Sequence, residues 1–343
     1  MKENNRKKIV FSEVVQALLD NKKPFPPVYL HSFSDLIPDD QKILRSVWKQ
    51  IEPKRKQNLI EDLIQLAEVE TEVMFDDTAR IALEDENPMV RSAGIRLLWE
   101  CNDIKLVPRY LQMLKKDPDV RVRTEAAKAL GLFVYLGELE EINPNITTEI
   151  ENALLEVLEG DAPTSIKLRA LESLGYSSRQ ETVTQINRAF SSGEKEWISS
   201  ALFAMGCSAD ADQWKNQVLS MLDHPILDIQ YEAVQAAGML ELQEARQPLL
   251  EMLENYDETD ENIRLAAITA LSKIGGDDVQ STLESLLDQV EDEEEVEIIE
   301  NALDYLDFSS GNLPLGMFNF GEPEDDDFYI ESPDEENDDD SID

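Results

Sequence analysis

The sequence predicts an all-α solenoid, a stack of paired helices in which each unit packs only on its neighbours. Three observations predict it: a pattern that recurs at near-constant spacing, small and apolar residues at helical intervals within it, and turn or capping chemistry at each break. The pattern is clearest over residues 117–131, Asp-Pro-Asp-Val-Arg-Val-Arg-Thr-Glu-Ala-Ala-Lys-Ala-Leu-Gly. Asp117 and Pro118 read as a helix start, since Asp accepts bonds from orphan N–H groups and Pro surrenders a donor that would lack a partner. Val122, Ala126, Ala129 and Leu130 then share one face, and the alanines leave room for a neighbouring helix. Gly131 reads as the point where the helix loosens.

With Gly131 as reference, the matching positions are Trp99, Gly175, Gly206, Gly238, Ser272 and Asp304, at steps of 32, 44, 31, 32, 34 and 32 residues. The residue five places earlier is Gly94, Ala126, Ala170, Ala201, Ala233, Ala267 and Ile299, so the register holds in seven copies. Eight places earlier stand Arg91, Arg123, Lys167, Ile198, Gln230, Arg264 and Val296.

Taken in order, residues 1–75 do not match the repeat and read as a divergent helical cap, which a solenoid needs to close the end of its core. Within them residues 11–19 form an amphipathic helix. Residues 22–29, with Pro24, Pro26 and Pro27, read as a stiff extended linker. A helix from Asp39 carries Ile43, Leu44, Val47 and Trp48 and breaks at Pro53, and a second runs through Leu59, Leu63, Ile64 and Leu66. The array of about seven repeats occupies residues 76–308. Its breaks fall near Asn87-Pro88, Asp117-Pro118, Asp161-Ala162-Pro163, Ser192-Gly193, His224-Pro225, Thr259-Asp260 and Asp292-Glu293. The long step of 44 reads as an edge insertion over residues 132–145, with Phe133, Val134, Tyr135 and Leu136 mostly packed. Residues 309–343 form an acidic tail, with 13 acidic and no basic residues from Gly321 to Asp343, predicted disordered because it buries too little apolar surface. Phe328, Tyr329 and Ile330 form an apolar island in it, readable as a partner-docking motif or as part of a solubilising tail.

The repeat unit resembles the HEAT family, and within it the bacterial HEAT-like repeats of the phycobilisome lyases. Their unit runs approximately Val-Pro-x-Leu-Leu-x-Leu-Leu, then Asp-Pro-x-Val-Arg, then Ala-Ala-x-Ala-Leu-Gly. The first half is visible from Val107-Pro108 to Leu114 and again from Gln247-Pro248 to Leu253, and the resemblance covers residues 80–308. It implies a right-handed solenoid. It also implies that the basic residue of each unit pairs with an acid of the next, a structural ladder of Arg91, Arg123, Lys167, Gln230 and Arg264 that is broken at Ile198 and Val296. Those two junctions are expected to rely on apolar contact alone.

Net charge bounds the partners. The chain of 343 residues carries −42, distributed as a gradient: residues 1–60 hold 12 Lys/Arg and 7 Asp/Glu, whereas residues 241–343 hold 3 and 34. Such a field disfavours nucleic acid and anionic membrane and attracts basic protein surfaces. No run approaches the roughly 18 apolar residues of a membrane span. The opposed ends also raise the prospect of the tail folding back on the basic cap. Cys101 and Cys207 lack disulfide or metal spacing and read as reduced core residues, which favours a cytoplasmic location.

Nothing in the sequence argues for catalysis, a cofactor or a metal. His31 is followed by Ser32 and His224 by Pro225, so the His-Glu pairs by which the HEAT-like deoxyhypusine hydroxylases bind iron are missing. Phosphate loops, nucleophile elbows and spaced calcium ligands are missing too. The expected function is a non-catalytic scaffold that presents an acidic solenoid surface to a basic partner protein. The resemblance implies an alternative, an accessory or lyase-like role in attaching a cofactor or chromophore to another protein.

Overall fold

The structure, a computed structural model, describes residues 9–256 and 258–309. Expectations that rest on residues 310–343, including those for Phe328, Tyr329 and Ile330, lie outside the described residues.

Helix starts follow local chemistry. The N-terminal part contains α1 (Phe11–Leu19), a 3-10 helix (Pro27–Phe33), α2 (Pro38–Val47) and α3 (Pro53–Val69), the last three each opening on proline. Seven helix pairs follow: α4 (Asp76–Ala82) with α5 (Pro88–Leu97), α6 (Val107–Lys116) with α7 (Val120–Glu138), and α8 (Pro144–Glu159) with α9 (Thr164–Leu174). Next come α10 (Gln180–Phe190) with α11 (Lys195–Cys207), α12 (Ala211–Leu219) with α13 (Leu227–Met239), α14 (Arg246–Glu254) with α15 (Glu261–Ile274), and α16 (Asp277–Leu287) with α17 (Glu293–Ser309). The second helix of each pair stacks on the second helix of the next, and α3 stacks on α5 in the same layer, while the first helices contact chiefly their own partners. One continuous apolar core runs from Phe11 to Leu306.

The recurrent glycine has a different cause from the loosening that the sequence reading assigns to it. Gly131 lies well inside α7. A Cβ there would meet Ser173 of α9 at 2.9 Å, one at Gly175 would lie 2.6 Å from the Cα of Ala204 on α11, and one at Gly238 would lie 2.6 Å from the Cα of Ala270 on α15. The glycine is therefore a contact point that lets consecutive inner helices approach backbone to backbone.

Helix capping is also displaced. The N-cap of α7 is Asp119, whose carboxylate accepts the Arg121 N–H, whereas Asp117 accepts the Asp119 N–H and pairs with Arg91. Asp85 and Asn87 repeat this division of labour before α5, with Asn87 as the cap and Asp85 accepting its N–H at 2.7 Å. The acid ahead of the cap is thus freed to bind a cation from the preceding repeat.

Residues 22–29 are more ordered than a linker. Pro27 starts the 3-10 helix, and Phe25 packs edge-on to Tyr29 and against Phe33, which in turn meets Phe11 with ring centres 5.6 Å apart. Proline removes donors that a 3-10 start leaves unused, so the stretch folds as an aromatic clamp. No helix among the described residues is long and apolar enough to cross a membrane.

Candidate interaction groove

Of the inner-helix residues eight places before the reference position, Arg91, Arg123, Gln230 and Arg264 donate to backbone carbonyls just ahead of them in their own repeat. Arg91 donates to the carbonyls of Asp85 and Glu86 and binds Asp117 through two nitrogens at 2.9 and 2.7 Å. Arg264 donates to the Thr259 carbonyl, stacks on the Tyr256 ring at 4.0 Å and pairs with Glu295 at 3.2 Å. Arg123 instead donates to the Leu114 carbonyl and Gln230 to the Leu222 carbonyl, with no acidic partner among the described residues. Lys167 makes no ion pair among the described residues and lines a small pocket of about 310 Å³ with Trp197. The task shared by Arg91, Arg123, Gln230 and Arg264 is therefore to cap carbonyls of the preceding turn, and Arg91 and Arg264 add a pair with an acid of the next repeat.

Two departures are visible from the ladder that the resemblance implies. Lys56 of α3 stands in the same register and pairs with buried Asp85 at 2.6 Å. Its signal in the sequence is Leu59 three residues on and Leu63 and Ile64 beyond, spaced as in the array. The junction after Ile198 is not purely apolar, because Lys195 of α11 pairs with Asp228 of α13.

None of these ladder residues lines the main concavity. A groove of about 1440 Å³ runs over the inner layer from α3 to the start of α15. Its floor comes from residues three and six places before the reference: Arg96, Glu125, Lys128, Arg169, Glu172, Ser200, Phe203 and Glu232. Counting back three and six from each reference residue returns these residues together with others outside the groove, such as Ala93 and Gln235, and nothing in the sequence marks which of them line it.

The groove holds eight carboxylates, Glu68, Glu100, Glu125, Glu172, Glu196, Asp228, Glu232 and Asp260, against four cations, Arg96, Lys128, Arg169 and Lys195. Three of the four cations are already engaged: Arg96 by Glu61 of α3 at 2.6 Å, Arg169 by Glu172 at 2.8 Å, and Lys195 by Asp228. Burial pushes the carboxyls of Glu125 and Glu172 above the ordinary carboxylate range. The carboxyl of Glu232 is pushed up to about 7, first by burial and then by the charges of Glu172 and Asp228. Apolar groups are interleaved with them. Trp99 is 61% exposed, Leu227 49% and Tyr135 43%, the last set edge-on to Tyr176 with ring centres 5.4 Å apart. Phe133, Val134 and Leu136 of the same run are buried.

Other candidate chemistry is structural. Cys101 and Cys207 are both free; Cys101 donates to Asp76, and burial pushes both thiols up to about 11. His31 meets Glu70 at 2.9 Å, and the His224 ring accepts the Ile226 N–H. Among the described residues no group of His, Cys, Asp and Glu is arranged to hold a metal ion.

Two stretches, residues 77–142 and 215–304, match the family profile for HEAT repeats. These two stretches carry HEAT repeats. The unmatched interval between them holds α8 to α11, of which α9 and α11 continue the same inner layer without a break. No curated protein matches the chain. Solved structures similar to this HEAT array include Escherichia coli YibA, at 19% identity and a TM-score of 0.41, covering 74% of this chain and 97% of that one. Another is the complex of CpcE and CpcF of phycocyanin lyase from Nostoc sp. PCC7120, at 19% identity and a TM-score of 0.38, covering 79% and 95%.

Proposed function

We propose that the chain is a non-catalytic interaction scaffold whose inner groove docks a basic segment of a partner protein. The observation that carries this reading is the twofold excess of carboxylates over cations in one groove that also exposes Trp99, Tyr135 and Leu227. Unneutralised charge accelerates and orients encounter with a basic segment, and exposed aromatic and aliphatic groups supply the burial that holds it. A stacked array suits the task because it spreads the contact over several repeats, each adding a small increment.

Selection of a displayed random-peptide library on the full chain tests this. Peptides rich in basic residues with an apolar residue should enrich on the native chain and not on the Glu100→Lys, Glu196→Lys, Glu232→Lys triple variant, once circular dichroism has shown the variant to be folded. Enrichment of the same peptides on both proteins would sink the reading.

A further inference from the structure

Several carboxylates of the groove make no hydrogen bond or ion pair among the described residues, and Glu232 is the one whose proton is held most strongly. Glu232 of α13 is half-buried and makes no hydrogen bond or ion pair among the described residues. Its neighbour across the groove, Glu172 of α9, is 8% exposed and already satisfied by the Ser200 hydroxyl at 2.6 Å and Arg169 at 2.8 Å. Between those two helices lies α11, which presents partly exposed Phe203 to the groove, and one turn earlier Ser199, whose covered hydroxyl oxygen has no hydrogen-bond partner. Arg169 and Lys195 are paired with Glu172 and Asp228; Arg169 acts on Glu232 only through its charge, and no cation among the described residues makes an ion pair with Glu232.

We propose that Glu232, with Phe203 and the edge of Glu172, forms a seat for the guanidinium of an arginine in the docked segment, so that the groove selects arginine over lysine. This rests on the groove reading above and deepens it. A guanidinium is planar and weakly hydrated, donates in a fork that matches a carboxylate and stacks on an aromatic face; an ammonium is a compact, strongly hydrated charge that loses more on entering a half-buried site. The chain satisfies the same combination internally. Arg264 lies 4.0 Å over the Tyr256 ring while its Nη2 meets the buried Glu295 carboxylate at 3.2 Å. At Glu232 the acid and the aromatic ring are present and the cation is left for a partner to bring.

The test uses a fluorescein-labelled nonapeptide with three lysines spaced by leucine and serine, alone and with a single arginine replacing each lysine in turn, and reads binding to the full chain by fluorescence anisotropy. Arginine at one position should tighten binding about tenfold over the all-lysine peptide, the size expected of a partly desolvated cation–π contact. Glu232→Gln should abolish that gain, and Glu284→Gln, on the outer helix α16, should leave it intact. An arginine gain at no position, or a gain that survives Glu232→Gln, would overturn the seat while leaving the groove reading standing. Absence of binding by every peptide would instead remove the groove reading and the seat with it.

Discussion

Asp85 satisfies three donors at once: Lys56 Nζ at 2.6 Å, the Trp48 indole N–H at 2.7 Å and the backbone N–H of Asn87 at 2.7 Å. Lys56 and Asp85 side chains are only 8% and 4% exposed, so removing the carboxylate strands a buried ammonium. Asp85→Ala should therefore cost about 3–5 kcal/mol of stability, as for other broken buried pairs, measured by chemical denaturation. Lys56→Met, which leaves an apolar stem in place, should cost less. Glu232 behaves oppositely, because its native environment disfavours its charge. Its carboxyl stays protonated up to about 7 in the folded chain but releases its proton near the ordinary 4.5 once unfolded. Between those values the folded state binds the extra proton, so this residue's contribution to stability falls as pH rises across the window. Glu232→Gln should match the native protein below pH 4.5 and exceed its melting temperature above pH 7. Equal melting temperatures at pH 8 would mean that the carboxylate is neutralised in the folded chain.

At the scale of the helix, the reference glycine sets how closely inner helices approach. In Gly238→Ala the new methyl would sit 2.6 Å from the Ala270 Cα, a backbone atom that cannot step aside; in Gly206→Ala the nearest atoms lie at 3.1 Å, one of them the flexible Met239 sulfur. Alanine gains up to about 1 kcal/mol of helix propensity at either site. Forced separation of packed helices costs about 1–3 kcal/mol. Gly238→Ala should thus be net destabilising, and Gly206→Ala closer to neutral, by thermal melts of the two variants. The same geometry accounts for one copy that lacks glycine. Asp304 occupies the reference position on α17, and no inner helix follows it among the described residues.

Across the whole molecule, stability should be graded. Inner helices α7, α9, α11 and α13 are covered on both sides by others of their layer, whereas α17 has such a neighbour on one side among the described residues. In an array held by nearest-neighbour contacts the ends open first. Hydrogen exchange should accordingly be slowest in α9, α11 and α13 and fastest in α1 and α17; uniform protection along the chain would show that the array opens as one unit.

Periodicity was sufficient to read the architecture, since small residues recurring at five places before the reference can be buried together only if the helices stack in register. The breaks between helices were legible for the same reason, through Asn87-Pro88 and Asp260, whose chemistry is local. What the ladder residues do was legible only in part. Whether Arg91 or Arg123 finds an acid depends on where the next repeat places one: Asp117 reaches Arg91, whereas Arg123 pairs with no acid among the described residues. Gly131 reads locally as a helix breaker and is instead a contact, because its meaning lies in Ser173, more than forty residues away. The groove belongs wholly to the tertiary structure: Glu125, Glu172 and Glu232 are three unremarkable acids in sequence. Their shared surface, and the burial that holds the proton on Glu232, arise only when the four helices α7, α9, α11 and α13 lie side by side.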